Sequence, residues 1–312
     1  PLSNQVKLGL AQSFKKFNEY QLAKWDKNSA AISMRDVMFL THPKPETDAQ
    51  ADLFKRVANK GLQTPDTWET QLSAGADKKE TFTRLMAEKK LGALAFLRNL
   101  RNMVQSGVPE LMIREYASSL DVSKVLPFRY LAAARIVPQF EDMLEAMMFK
   151  SLEGAEKLPG KTVLLVDISG SMFGTKVSAK SDLDRFDAAC ALAVLCREIC
   201  EEVEIYSFAS NGPVRVAPRR GFALIEAIRS SQRPGGTNIG KAVSSVNANT
   251  KYDRVMVFTD EQSSDVVPSP KGKGYMINVA SYEHGVSSGR GWENITGFSE
   301  AIVTYIQALE KV

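Results

Sequence analysis

Apolar positions in the first half of the chain recur at helical spacing. Leu8, Leu10, Phe14, Phe17, Leu22 and Trp25 form one such series, and Leu91, Leu94, Leu97, Leu100 and Val104 another. Thr64-Pro65-Asp66-Thr67 before Trp68 has the make-up of a helix start, and Pro109 fits the first position of a further helix. Pro127 and Pro138 punctuate two more short segments. Alternating β-branched runs are absent up to about residue 160. These signals predict stacked antiparallel helix pairs, an all-α helical-repeat solenoid of the HEAT-like kind, although no clean period is visible.

The pattern changes at Gly154-Ala155-Glu156-Lys157-Leu158-Pro159-Gly160, which divides the chain into expected domains 1–156 and 160–312. Thr162-Val163-Leu164-Leu165-Val166 is a continuous apolar run of the kind found in buried parallel strands. A long helix is expected over 184–201, strands over 203–208, 254–258 and 274–280, and helices over 221–229, 239–247 and 299–309. Strands alternating with helices predict a doubly wound α/β domain. Trp25 and Trp68 read as core, and so do Cys190, Cys196 and Cys200, placed within an apolar helix.

Composition narrows the function classes. The chain has 312 residues, 44% hydrophobic and 24% charged, with three Cys and two His. No apolar run reaches the roughly 18 residues needed to span a bilayer, and the N-terminus lacks both a signal-peptide layout and an initiator Met. Three Cys cannot build a disulfide framework, so a reducing, cytoplasmic setting is expected. Residues 1–158 hold 23 Lys/Arg against 19 Asp/Glu, a net +4, whereas residues 159–312 hold 17 of each. The positive excess therefore belongs to the helical half. Within it, 84–135 carries nine basic and four acidic side chains, a mild footprint for a polyanion or simply a solvated helical surface.

Asp167-Ile168-Ser169-Gly170-Ser171 closes the first strand of the second half, placing one carboxylate and two hydroxyls at i, i+2 and i+4. In open α/β sheets ligands sit outside the carboxyl ends of the strands. Thr237 lies in the glycine-rich Gly235-Gly236-Thr237-Asn238, and Asp260 follows the strand ending at Phe258. Asp167, Ser169, Ser171, Thr237 and Asp260 thus offer five hard oxygen donors. Two charges plus hydroxyls suit Mg²⁺ that keeps some water and leaves a position for a partner's carboxylate. Hydrolytic readings fare poorly. Ser169 lacks a Gly-x-Ser-x-Gly elbow, and the one downstream His is His284. The triplet Gly160-Lys161-Thr162 does not make a P-loop, because Ala155 stands where the motif needs its first glycine. The alternative to a metal is a loop whose hydroxyls cap backbone amides.

This arrangement resembles the metal-ion-dependent adhesion site of von Willebrand factor A domains, over residues 160–312. The resemblance implies direct ligation by Ser169, Ser171 and Thr237, with Asp167 and Asp260 acting through water. Glu261 stands where that family commonly has Gly.

Nucleic-acid candidates come from the first half. Arg98, Arg101 and Asn102 share one helical face, at i, i+3 and i+4, opposite Leu97 and Leu100. They can chelate phosphates or bridge carbonyls of adjacent helices. His42, at a helix end, is a structural hydrogen-bonder or a base-stacking group. Lys44, Lys15, Lys16, Arg129 and Arg135 are further phosphate contacts of low individual specificity. Several peptides here resemble the TROVE module of the Ro autoantigen and its bacterial counterparts: Met34 to Pro45, Thr64 to Glu69, Leu91 to Met103, and Leu126 to Tyr130. That resemblance implies a ring of helical repeats joined to an A domain, and a non-catalytic scaffold for small non-coding (Y-type) and misfolded RNAs. An RNA-processing nuclease such as polynucleotide phosphorylase is an implied partner. About 155 helical residues are fewer than that family usually carries, so a missing N-terminal stretch, or an open or oligomer-closed ring, is expected. Two further function classes stay open: a protein-adhesion module acting through the metal without RNA, and a Mg²⁺-dependent nuclease, for which two carboxylates are few.

Overall fold

A computed structural model describes residues 2–26, 31–177, 183–280, 291–297, 299 and 301–311. Ten helices come first: α1 (Asn4–Phe14), α2 (Glu19–Trp25), α3 (Met34–Thr41), α4 (Asp48–Ala58), α5 (Trp68–Ser73), α6 (Lys78–Ala87), α7 (Ala93–Gln105), α8 (Glu110–Ser119), α9 (Phe128–Ile136) and α10 (Glu141–Ser151). Many starts are written in the sequence. Ser3, Asn18, Ser33, Thr47, Thr67 and Asp77 each accept a backbone N–H of the first turn, satisfying donors that a helix leaves open. Pro109 and Pro127 precede α8 and α9 at the capping position, one residue before the place expected for Pro109.

Then follow β1 (Leu158–Asp167), α11 (Arg185–Ile199), β2 (Cys200–Ala209), β3 (Gly212–Arg215), α12 (Gly221–Ser230), α13 (Ile239–Asn249), β4 (Arg254–Thr259), β5 (Lys273–Asn278), β6 (Trp292–Thr296) and α14 (Ala301–Glu310). The six strands make one sheet in the order β3-β2-β1-β4-β5-β6. Every pairing is parallel except β2 with β3, so the C-terminal region is a mixed α/β sheet. β3 and β6 lie outside the expected strands. Gly212-Pro213 reads as a turn and Trp292-Glu293-Asn294 as polar chain, yet pairing to β2 and β5 makes each an edge strand.

By contacts the chain divides into two compact units. One comprises Pro1–Leu91 with Ser106–Val108, the other Gly92–Gln105 with Pro109–Val312. This division differs from the change of element type near residue 158, because α9 and α10 pack together and α10 packs on α12 of the sheet region. Glu145 of α10 accepts the Phe222 N–H at the start of α12 at 2.7 Å.

In the first unit Phe14, Leu22, Leu53, Phe54 and Val57 form a buried cluster, with Phe14 edge-on to Phe54 at 5.4 Å. Trp25 is not part of it. The indole is 64% exposed, and Leu8, Leu10 and Phe17 are exposed too. α2 ends at Trp25, and the cluster that buries Leu22 does not extend over the indole, so the helical period overstated the core here. Trp68 is half-buried.

In the second unit Val163 and Leu165 of β1, Val255 and Val257 of β4 and Met276 of β5 meet Ile239, Ala242, Val243 and Val246 of α13. Alternate residues along each strand face the other way. α11 packs on β1, β2 and β4 and also against α12, and is buried at every position but Arg197. That explains its continuous apolar run from Ala188 to Cys196. Cys190 and Cys196 lie in it; Cys200, read as helical, instead begins β2. Burial pushes all three thiols up, away from the reactive thiolate. No helix among the described residues is long and apolar enough to cross a membrane.

Candidate functional site

The strand order reverses beside β1, which lies between β2 and β4. Val166 pairs with Phe258, so both strands leave the sheet at the same edge, with Thr259 beside Asp167 and Asp260 one residue further on. Asp167 is fully buried. One of its oxygens accepts the Ser169 N–H at 2.7 Å and the other the Thr259 hydroxyl at 2.6 Å. The Ser169 and Ser171 hydroxyl oxygens lie 3.2 Å apart. The Gly170 N–H donates to the Gly235 carbonyl at 2.9 Å, tying the serine loop to the loop that carries Thr237. The Ser264 N–H donates to the Thr237 carbonyl at 3.0 Å, tying that loop to the one after β4. Ser263 and Asp265 of this last loop cap the first N–H groups of α13. Three loops are thereby locked together, and Asp167, Ser169, Thr237 and Asp260 are all buried at their junction, with Ser171 partly so.

Burial in the apolar sheet edge pushes the Asp167 carboxyl up to about 6. Asp260 is also buried and accepts the Arg185 guanidinium at 3.0 Å. Arg185 and Thr259 escaped the sequence reading. Arg185 sits 75 residues before its partner, and Thr259 fell just past the expected strand 254–258, between it and Asp260. Glu261 is buried with φ of 56°, in the left-handed region, which explains why glycine suits this position. Among the described residues no group of three or more His, Cys, Asp or Glu is arranged to hold a metal ion. Any cation held here must therefore rely on hydroxyl and carboxylate oxygens. The five donors fit a hard divalent ion in chemistry, and Arg185 is the one component running against it. His284 lies outside the described residues.

The basic candidates separate by environment. On α7, Arg98 and Arg101 are exposed, with no ion-pair partner among the described residues. Asn102 is half-buried and donates to Asn99 at 3.2 Å, while Asn99 is buried and donates to the Ala95 carbonyl. Leu97 and Leu100 are buried, as expected. The arginines therefore point to solvent and do not bridge helices. Arg129 is exposed on α9. Arg135 is engaged by Asp187 of α11, which Arg229 also approaches at 3.8 Å. In the first unit, Lys15 donates to Glu46 at 2.9 Å, whereas Lys16 and Lys44 are exposed. His42 is exposed, and its left-handed backbone (φ of 47°) terminates α3 with its N–H on the Met38 carbonyl.

Residues 59–161 match the TROVE domain family. This stretch includes Arg98, Arg101, Asn102, Arg129 and Arg135, and begins beyond Lys15, Lys16, His42 and Lys44. Telomerase protein component 1 of Rattus norvegicus is 30% identical over 110 residues, and its Mus musculus counterpart is the same. Those residues are 33% of this chain but 4% of each relative's length. The crystal structure of the Deinococcus radiodurans Ro (RSR) protein superposes with a TM-score of 0.69 at 19% identity, covering 97% of this chain and 76% of that one. Its fold, helices followed by a mixed α/β sheet, is the fold described above. Over residues 59–161 the chain is similar to the TROVE domain family, within a fold like that of the Ro (RSR) protein.

Proposed function

We propose that the protein is a non-catalytic RNA-binding scaffold of the cytoplasm that captures small non-coding, Y-type and misfolded RNAs in RNA quality control. One observation carries the reading: Arg98 and Arg101 stand side by side on α7, solvent-facing and without partners among the described residues, within the stretch that matches TROVE. Two uncommitted guanidiniums are available for bidentate contacts to successive phosphates, because they serve no ion pair of the fold. Arg129 adds to this surface. Arg135 and Lys15, already ion-paired, contribute less.

In this reading the helices form HEAT-like repeats, and the sheet region is a doubly wound von Willebrand factor A domain. Asp167, Ser169, Ser171, Thr237 and Asp260 would hold Mg²⁺, which supplies an open coordination position for an acidic group. The chain's own part is to keep the three loops locked and the carboxylates dry. A nuclease such as polynucleotide phosphorylase is the proposed protein partner.

The test is to purify the native protein at low salt and sequence the RNA that accompanies it. Enrichment of small structured RNAs, lost on Arg98→Ala with Arg101→Ala, is expected. Absence of RNA, with protein complexes that survive ribonuclease, would refute the reading and favour a protein-adhesion role at the metal site.

A further inference from the structure

We infer that Arg185 is a built-in counter-charge at the candidate cation site, competing with the divalent ion for Asp260 and setting how tightly the ion is held. The inference rests on the cation reading of that site. The side chains of Arg185 and Asp260 are 8% and 0% exposed, and the guanidinium Nη1 lies 3.0 Å from Oδ2 of the carboxylate. A carboxylate oxygen already engaged by a desolvated guanidinium is not available to a metal, or to a metal's water, without moving it.

The position of Arg185 sharpens the point. It is the first residue of α11, after the N-cap Asp184, and a helix N-terminus disfavours positive charge. Asp187 in the same turn is taken up by Arg135 and approached by Arg229. Asp260 accepts from the Arg185 guanidinium directly. Charge counting gives the consequence. Asp167 and Asp260 bring two negative charges when ionised, and Arg185 removes one of them. A divalent ion then meets a fixed positive charge with the arginine in place and is spared it without. Because the groups are buried, screening is weak and the difference is large. The pair thereby ties α11 to the loop after β4 before any ion arrives, at the expense of affinity for it.

The experiment titrates Mn²⁺ into the full chain by calorimetry and by the electron paramagnetic resonance of free Mn²⁺. It uses the wild type, Arg185→Met, Arg185→Gln, Arg185→Lys and Asp167→Ala, with circular dichroism confirming that each folds. Arg185→Gln keeps an amide donor toward Asp260, so it covers the case in which Arg185→Met fails to fold. The expected result is binding about tenfold or more tighter in the neutral variants, little change in Arg185→Lys, and loss in Asp167→Ala. Neutral variants that bind no more tightly than a wild type that binds Mn²⁺ would overturn the role of Arg185 alone. Absence of binding in wild type and neutral variants alike would overturn the cation site and the inference together.

Discussion

Replacing Arg98 and Arg101 together by alanine separates RNA binding from folding in a quantitative way. Both side chains are exposed and neither has an ion-pair partner among the described residues, so their loss should leave stability within about 0.5 kcal/mol. Each phosphate contact removed from a complex lowers the slope of log K against log salt by about 0.9 for duplex and about 0.7 for single strands. Two lost contacts therefore flatten the slope by roughly 1.8 on a duplex stem and roughly 1.4 on a single-stranded end. Across a fourfold rise in salt, the variant should lose roughly 12-fold less affinity than the wild type on duplex, and roughly 7-fold less on single strands. Filter binding of a labelled stem-loop and of an unpaired oligonucleotide from 50 to 200 mM salt measures both, and urea unfolding checks the fold. An unchanged slope with weakened binding would mean that the arginines shape the surface without touching phosphate. An unchanged affinity would remove α7 from the interface.

Two stability predictions concern the charged groups the fold does use. Glu310 of α14 pairs with Arg254 of β4 and accepts the Tyr275 hydroxyl at 2.9 Å, with Arg254 and Glu310 only 3% and 8% exposed; Glu310→Ala leaves a buried guanidinium uncompensated and should cost about 3–5 kcal/mol in urea unfolding, whereas a loss below about 1 kcal/mol would show that α14 is not anchored there. In the first unit Arg84 and Lys90 hold the Asp66 carboxyl well below the usual carboxylate range. The folded state thus binds this proton more weakly than the unfolded chain, whose Asp titrates near about 3.9. That contribution is complete above this pH and lost as pH falls through and below it. Asp66→Asn should flatten the acid limb of unfolding, modestly because the groups are a third or more exposed; an unaltered limb would refute the pairing.

Periodicity read the sheet region well and the first helices less well, for a physical reason. β1 and β4 are buried on both faces, so their apolar runs leave little choice of element. α1 and α2 are short and meet few partners in their unit, so Leu8, Phe17 and Trp25 keep helical spacing without being buried. β3 and β6 carry no strong strand signal, because an edge strand is made by its neighbour's open hydrogen bonds.

Local sequence determined which helices begin where, through their caps, and that Asp167, Ser169 and Ser171 share one turn. It also placed Arg98 and Arg101 one turn apart on α7. These are short-range matters of spacing and backbone hydrogen bonding. Only the tertiary structure decided that Thr259 would hold Asp167, that Arg135 would be spent on Asp187, and that Arg185 would lie against Asp260. Each is a pairing across at least 52 residues, made because a buried charge or carboxylate must find a partner wherever the packed sheet supplies one. Spacing along a chain carries no record of that search.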